Sequence, residues 1–148
     1  MKWLVLVDID GTLTRGNVDL QIHPGQRDAW RACLERPIRP SLAAARAMSD
    51  IAQMADFAVV SGRPDYTAAQ PGKWLRRHFD QKPLAVHLCP VGTDPREFKA
   101  SIWASYRGRY ADRICAIDDV PWRGPRHFFR APTGWPALLG HLRAVSSE

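Results

Sequence analysis

Val5-Leu6-Val7-Asp8-Ile9-Asp10-Gly11-Thr12-Leu13-Thr14 decides the reading of this chain. An apolar run climbs from Leu4 to Val7 and stops at Asp8. Asp10, Gly11 and two threonines follow. A run this short and β-branched suits a buried strand of a parallel sheet. Open α/β sheets bind ligands outside the carboxyl ends of such strands. The chain therefore puts two acids where α/β proteins do their chemistry. Residues two apart in extended backbone face the same side, so Asp8 and Asp10 can converge on one pocket. One carboxylate can attack an electrophile, and the other can protonate a leaving group and later deprotonate water. Close carboxylates need a cation to keep both ionised. Magnesium, which takes oxygen ligands and shares them with phosphate, fits. Gly11 permits a sharp exit from the strand. The same residues also read as an ordinary Asp-Gly turn, and the rest of the chain separates the two readings.

Three further segments repeat the pattern. Phe57-Ala58-Val59-Val60 is an apolar run that ends in Ser61-Gly62-Arg63-Pro64. The Ser61 hydroxyl and the backbone amides around Gly62 can donate to a phosphate oxygen, and Arg63 can add a bidentate contact. In Asp94-Pro95-Arg96-Glu97-Phe98-Lys99, Asp94 as N-cap, Pro95 at the first helical position and Glu97 make a capping-box-like helix start. Lys99 then lies in the second turn, near a helix N-terminus that already favours anions. Ile114-Cys115-Ala116-Ile117 ends in Asp118-Asp119, acids placed to hold a metal. Singly, each segment has a bland reading as a turn or a solvated side chain. Together and in this order they are much harder to explain as turns.

The spacing predicts strands over Trp3–Val7, Phe57–Val60, Leu84–Leu88, Arg113–Ile117 and His127–Arg130. It predicts helices over Gln26–Glu35, Ser41–Met54, Gly72–Phe79, Arg96–Tyr106 and Trp135–Val145. Alternating strands and helices give an α/β three-layer sandwich around a parallel five-stranded sheet. The 148 residues form one domain, 1–148. No segment between the motifs is long enough for a large cap domain. The polar loop from Thr14 to Pro24 directly follows Asp10 and is a candidate flap, with Gly16 and Asn17 as its hinge.

The formal charge is +6. Residues 61–110 hold nine of the 21 basic residues and four of the 15 acidic ones, and so carry nearly all the excess. Arg63, Lys73, Arg76, Arg77, Lys82, Arg96, Arg107 and Arg109 are among them. Such a surplus suits a polyanionic substrate, or equally a solvated face. Trp74, Trp103 and Trp122 lie among these charges, as stacking platforms or as core. Cys33, Cys89 and Cys115 show no disulfide framework or metal spacing, and the five histidines show no ligand spacing. A reducing cytoplasm is expected, with no signal-peptide pattern and no apolar stretch long enough for a membrane span. No Gly-x-x-x-x-Gly-Lys-Ser/Thr loop is present, which argues against a kinase activity in this chain.

Taken in order, the four segments resemble the haloacid dehalogenase-like phosphohydrolases, over residues 4–119. The resemblance implies that Asp8 is the nucleophile and Asp10 the general acid/base. It implies that Ser61 binds the phosphoryl group and Lys99 steadies its charge. Asp8, the backbone carbonyl of Asp10 and Asp118 would ligate magnesium, with Asp119 supporting the metal site. Thr12, Ser61, Gly62, Arg63 and Arg15 make up the substrate-binding set. A narrower resemblance, from Asp8 to about Trp135, is to the 3′-phosphatase domains of phage-type polynucleotide kinase/phosphatases. Asp19-Leu20, Pro37-Ile38-Arg39-Pro40, Val59 to Arg63, Gly92-Thr93-Asp94-Pro95-Arg96 and Ile117-Asp118-Asp119 carry it. The loop after Thr14 is shorter than in that family, and Arg15 is the nearest match to its substrate arginine. The segment before Lys99 is also shorter, which leaves Asp94 or Glu97 as the acid there. The expectation is a magnesium-dependent phosphomonoesterase that forms an aspartyl-phosphate and removes 3′-phosphates from nucleic acid ends. A phosphatase for nucleotides or other small metabolites is the alternative. A nucleic-acid-binding module without turnover is a third reading.

Overall fold

The computed structural model describes residues 1–16 and 22–147. Strands β1 (Trp3–Val7), β2 (Ala55–Pro64), β3 (Val86–Cys89), β4 (Ile114–Asp118) and β5 (His127–Arg130) form one sheet in the order β3-β2-β1-β4-β5. Every neighbouring pair is parallel. Around the sheet run α1 (Arg27–Glu35), α2 (Leu42–Met54), α3 (Ala69–His78), α4 (Pro95–Tyr110) and α5 (Trp135–Ser146). The α/β class and the five parallel strands are those expected from the sequence. Among the described residues no separate cap is built. The tip of the expected flap, residues 17–21, lies outside the described residues, as do Asn17 of its hinge and the Asp19-Leu20 pair.

The side-chain alternation of the strands creates the three layers. Val5 and Val7 of β1, with Phe57 and Val59 of β2, face α2, α3 and α5. Leu4 and Leu6, with Ala58 and Val60, face the other way onto Phe98, Ile102 and Tyr106 of α4. The central strands are apolar on both faces over Leu4–Val7, Phe57–Val60 and Ile114–Ile117 because each face is covered by helix. Burial of each large aliphatic side chain contributes about 1.5–3 kcal/mol. The shorter α1 packs Trp30 and Leu34 onto Ile38 and Tyr66, away from the main core.

Most element ends lie within two residues of expectation, and four of the differences have a plain physical reason. β2 continues through Ser61, Gly62 and Arg63 to Pro64, because its edge still pairs with β3 across an irregular register after Ser61. α3 begins at Ala69, three residues early, since Pro71 is tolerated in a first helical turn. α4 runs on to Tyr110, whose hydroxyl donates to the Asp56 carboxylate and whose ring is buried. α2 begins at Leu42, with Ser41 as its N-cap accepting from the Ala44 amide at 3.2 Å. The capping box at α4 is only half formed. Asp94 accepts from the Arg96 amide at 2.7 Å, and among the described residues Glu97 returns no bond.

The strand order places the site. From β1 the chain winds outward to β2 and β3, then crosses to the far side of β1 as β4 and β5. The winding reverses between β1 and β4, and a crevice opens at the carboxyl ends of those two strands. Asp8 follows the first and Asp118 ends the second.

Candidate active site

Asp8 leaves β1 with its amide still bonded to the Ile117 carbonyl at 3.1 Å, so the two acid-bearing strand ends are tied together. The chain then makes one wide turn, closed by the Thr14 amide on the Ile9 carbonyl at 3.0 Å. Gly11 adopts φ +76°, a left-handed conformation that glycine takes without steric cost. Its amide donates to the Thr14 hydroxyl at 2.9 Å. The turn brings Asp10 out beside β2 rather than over β4.

Two carboxylate groupings result. In the first, the Lys99 ammonium from the second turn of α4 lies 2.5 Å from Asp118 and 3.4 Å from Asp8. Asp118 also accepts from the Trp122 indole N–H and from the Val120 amide. Asp8 and Asp118 are buried. Oxygens of Asp8, Asp118 and Asp119 lie within 4.8 Å of one another. In the second grouping, Arg63 forks onto Asp10, with Nε–Oδ2 at 2.9 Å and Nη2–Oδ1 at 2.7 Å. Its remaining Nη1 donates to the Gln70 side-chain oxygen at 2.7 Å.

The electrostatics of the first grouping follow from three acids facing one cation. Burial pushes the Asp8 carboxyl well above the usual range; Lys99 opposes this, and Asp118 and Asp10 reinforce it. Burial also pushes Asp118 up, but Lys99 and hydrogen bonds from Asp119, Lys99 and Trp122 outweigh it and hold that carboxyl low. Burial, with the hydrogen bond to Asp118 and its charge, lifts Asp119 to about 6. Burial alone would lower Lys99, yet Asp8 and Asp118 raise it. The cluster has more acid than its lysine can balance. An all-oxygen set of this kind fits a hard divalent cation. The Asp10 carboxylate lies outside the cluster, on Arg63.

The other expected residues divide. Thr12 is buried with its hydroxyl 3.5 Å from Asp8. Ser61 is buried in β2 and accepts from the Arg63 amide at 3.1 Å. A Cβ on Gly62 would press on Pro95 at 3.2 Å, so the glycine lets β2 approach the start of α4. Arg15 is exposed beyond the wide turn, its amide on the Arg39 carbonyl at 2.7 Å. Asp94 and Glu97 are exposed at the start of α4, Asp94 as the cap.

Sequence reasoning missed Gln70, which carried no signal because its partner was read as facing the substrate. Trp122 was noticed among the charges, but its bond to Asp118 was not foreseen. The remaining tryptophans lie elsewhere. Trp74 is buried and donates to the Ile38 carbonyl, and Trp103 lies under Arg107. The basic middle of the chain does not form one path. Arg63 is buried, whereas Arg109 sits at the far end of α4, about 15 Å along the axis from Lys99 at 1.5 Å per residue. The three cysteines are free. No helix among the described residues is long and apolar enough to cross a membrane.

Comparison of the sequence with protein-family models and with curated proteins gives no match. Among solved structures, a haloacid dehalogenase-like family hydrolase from Xanthomonas campestris superimposes with a TM-score of 0.61. The two share 15% sequence identity, over 99% of this chain and 94% of that one. The chain therefore has the fold of a haloacid dehalogenase-like hydrolase: one parallel five-stranded sheet between helices, with its paired acids at the switch between β1 and β4.

Proposed function

We propose that this protein is a divalent-cation-dependent phosphomonoesterase that works through an aspartyl-phosphate on Asp8. The observation that carries the reading is the pair of unlike carboxylates two residues apart. Asp8 is buried among Asp118 and Lys99, and Asp10 is held beside it by the Arg63 fork.

An Asp8 oxygen attacks the substrate phosphorus, forming a new O–P bond as the bond to the leaving oxygen breaks. Asp10, in its protonated form, gives its proton to that oxygen and is left ionised. Water then attacks the phosphorus of the aspartyl-phosphate, Asp10 takes its proton, and Asp8 leaves as a carboxylate beside free phosphate. The Arg63 fork fixes the position of the Asp10 carboxylate for both steps, and Gln70 keeps the fork oriented. Lys99 offsets charge on the phosphoryl group in flight, where electrostatic stabilisation is usually the largest contribution. Ser61, Thr12 and the amide of Gly62 supply neutral donors to its oxygens. Asp8, Asp118, the Asp10 carbonyl and, in support, Asp119 would hold magnesium, which when bound neutralises phosphoryl oxygens and keeps the acids ionised.

For the substrate we favour a 3′-phosphate at a nucleic acid end. Two things support it: the narrower sequence resemblance, and a site with no separate cap among the described residues. The test is a parallel assay, with magnesium, of 3′-phosphorylated and 5′-phosphorylated oligonucleotides and of mononucleotides. Preference for the 3′-phosphorylated oligonucleotide supports the reading. Far faster turnover of free nucleotides favours a small-metabolite phosphatase, and absence of turnover on all of them removes the enzyme reading.

A further inference from the structure

Asp118 and its neighbour Asp119 open onto different sides of the site. Asp118 shares one cleft with Lys99, Arg96 and Trp122. Asp119 and Gly11 reach a second cleft of about 560 Å³, also lined by Arg15, Ser41 and Arg130. No role in the mechanism has been given to this second cleft or to Arg130.

We propose that this cleft binds a second, non-reacting phosphate group of the substrate, with Arg130 as its principal contact and Arg15 as a further one. The inference rests on the phosphatase reading above and adds to it the class of substrate the site prefers. Both guanidinium groups are exposed and charged at every relevant pH, and planar forks of this kind match phosphate oxygens two at a time. Ser41 is the N-cap of the 13-residue α2, so the positive end of that helix faces the same space. The roots of both arginines are fixed to the catalytic frame. Thr14, next to Arg15, bridges Pro40, and the Arg15 amide is bonded to Arg39. Arg130 lies opposite Asp118 in the sheet register, and the following amide, Ala131, donates to the Asp118 carbonyl at 2.9 Å. A phosphate here would be held at a set position from the reacting one. Asp119 belongs both to this cleft and to the carboxylate cluster, and its charge disfavours an anion placed close to it.

A second phosphate can come from the neighbouring phosphodiester of a strand or from the 5′ end of a small bisphosphate. The test therefore compares three substrates with magnesium: a 3′-phosphorylated dinucleotide, a nucleoside 3′,5′-bisphosphate and a nucleoside 3′-monophosphate. Arg130→Ala and Arg130→Gln should lower kcat/KM for a substrate with a second phosphate about tenfold more than for the monophosphate, the scale of one charged hydrogen bond. The difference should sit mainly in KM and shrink as salt rises. Arg130→Lys should recover part of it. Loss on the dinucleotide alone assigns the cleft to a strand, and loss on both assigns it to any second phosphate. Equal losses on all three substrates, or none, would overturn the subsite while leaving the phosphatase intact. If the unaltered protein hydrolyses none of the three, the phosphatase reading itself falls, and the subsite with it.

Discussion

The two carboxylate groupings at the sheet's carboxyl edge are built on opposite principles. Around Asp8 and Asp118, buried acids share one flexible ammonium and are left short of positive charge. Around Asp10, a single acid receives a complete guanidinium fork, itself pinned by Gln70. The first grouping is electrostatically unfinished and gains from any further cation. The second is finished and gains only geometry. Two aspartates separated by a single residue thus have different partners: Asp8 needs a further cation before it can attack as a carboxylate, whereas Asp10 is already held in place by Arg63.

The most severe way to break the comparison is to remove Asp8, the proposed nucleophile. Asp8→Asn should abolish detectable turnover, since an amide is a very poor nucleophile, while Asp10→Asn should retain a residue of activity, reduced about 10²–10⁴-fold. Steady-state rates of the two purified variants check this, and equal residual activity would merge the two groupings into one. Next comes Lys99→Ala, which should reduce kcat about 10²–10³-fold, on the scale of losing a preorganised electrostatic contact. It should also leave Asp8 and Asp118 without their counter-charge, so the variant should be less stable and should recover more stability from magnesium than the parent in thermal unfolding. Ser61→Ala, which removes one neutral donor, should cost less than Lys99→Ala.

Arg63→Lys sharpens the contrast further. It keeps the charge but cannot fork. The expected loss is roughly tenfold, the worth of one charged hydrogen bond, and Arg63→Lys should cost little more in an Asp10→Asn background. An undiminished Arg63→Lys penalty in that background would mean that Arg63 acts on something other than Asp10. The smallest effect is on stability. Burial holds Asp8 and Asp119 protonated above the pH at which they ionise in the unfolded chain, Asp119 up to about 6. For acids with raised folded-state values, the stabilisation is complete at low pH and is lost as pH rises through those values. Without divalent cation the protein should therefore lose stability from about pH 4 to above pH 6. Magnesium should stabilise it more at the upper end of that range, because protons no longer compete. Thermal midpoints with and without magnesium at several pH values would show it.

The first grouping was largely legible before folding, and the second was not. Asp8 and Asp118 each end an apolar run of strand length, and a parallel sheet brings such ends together from anywhere in the chain. Lys99 could be placed by the helix start at Asp94-Pro95, because caps are local. The Arg63–Asp10 pair spans 53 residues and depends on β2 running past Ser61. An apolar pattern that stops at Val60 gave no sign of that extension. Trp122 reaches Asp118 from a loop without periodicity, so its bond depended on tertiary packing alone. The charge surplus of residues 61–110 could be counted, but counting did not reveal that Arg63 is buried on Asp10 while Arg109 lies at the far end of α4.

The central claim is that Asp8, and not Asp10, carries the phosphoryl group. Rapid acid quenching of the protein during turnover of a phosphorylated substrate with magnesium, followed by peptide mass spectrometry, tests it directly. The account predicts a phosphoryl adduct on the peptide containing Asp8, assigned to Asp8 by fragmentation. The adduct should be absent from Asp8→Asn and should accumulate in Asp10→Asn, where water is no longer activated. An adduct on another residue, or rapid turnover with no adduct at any quench time in either the parent protein or Asp10→Asn, would contradict the account.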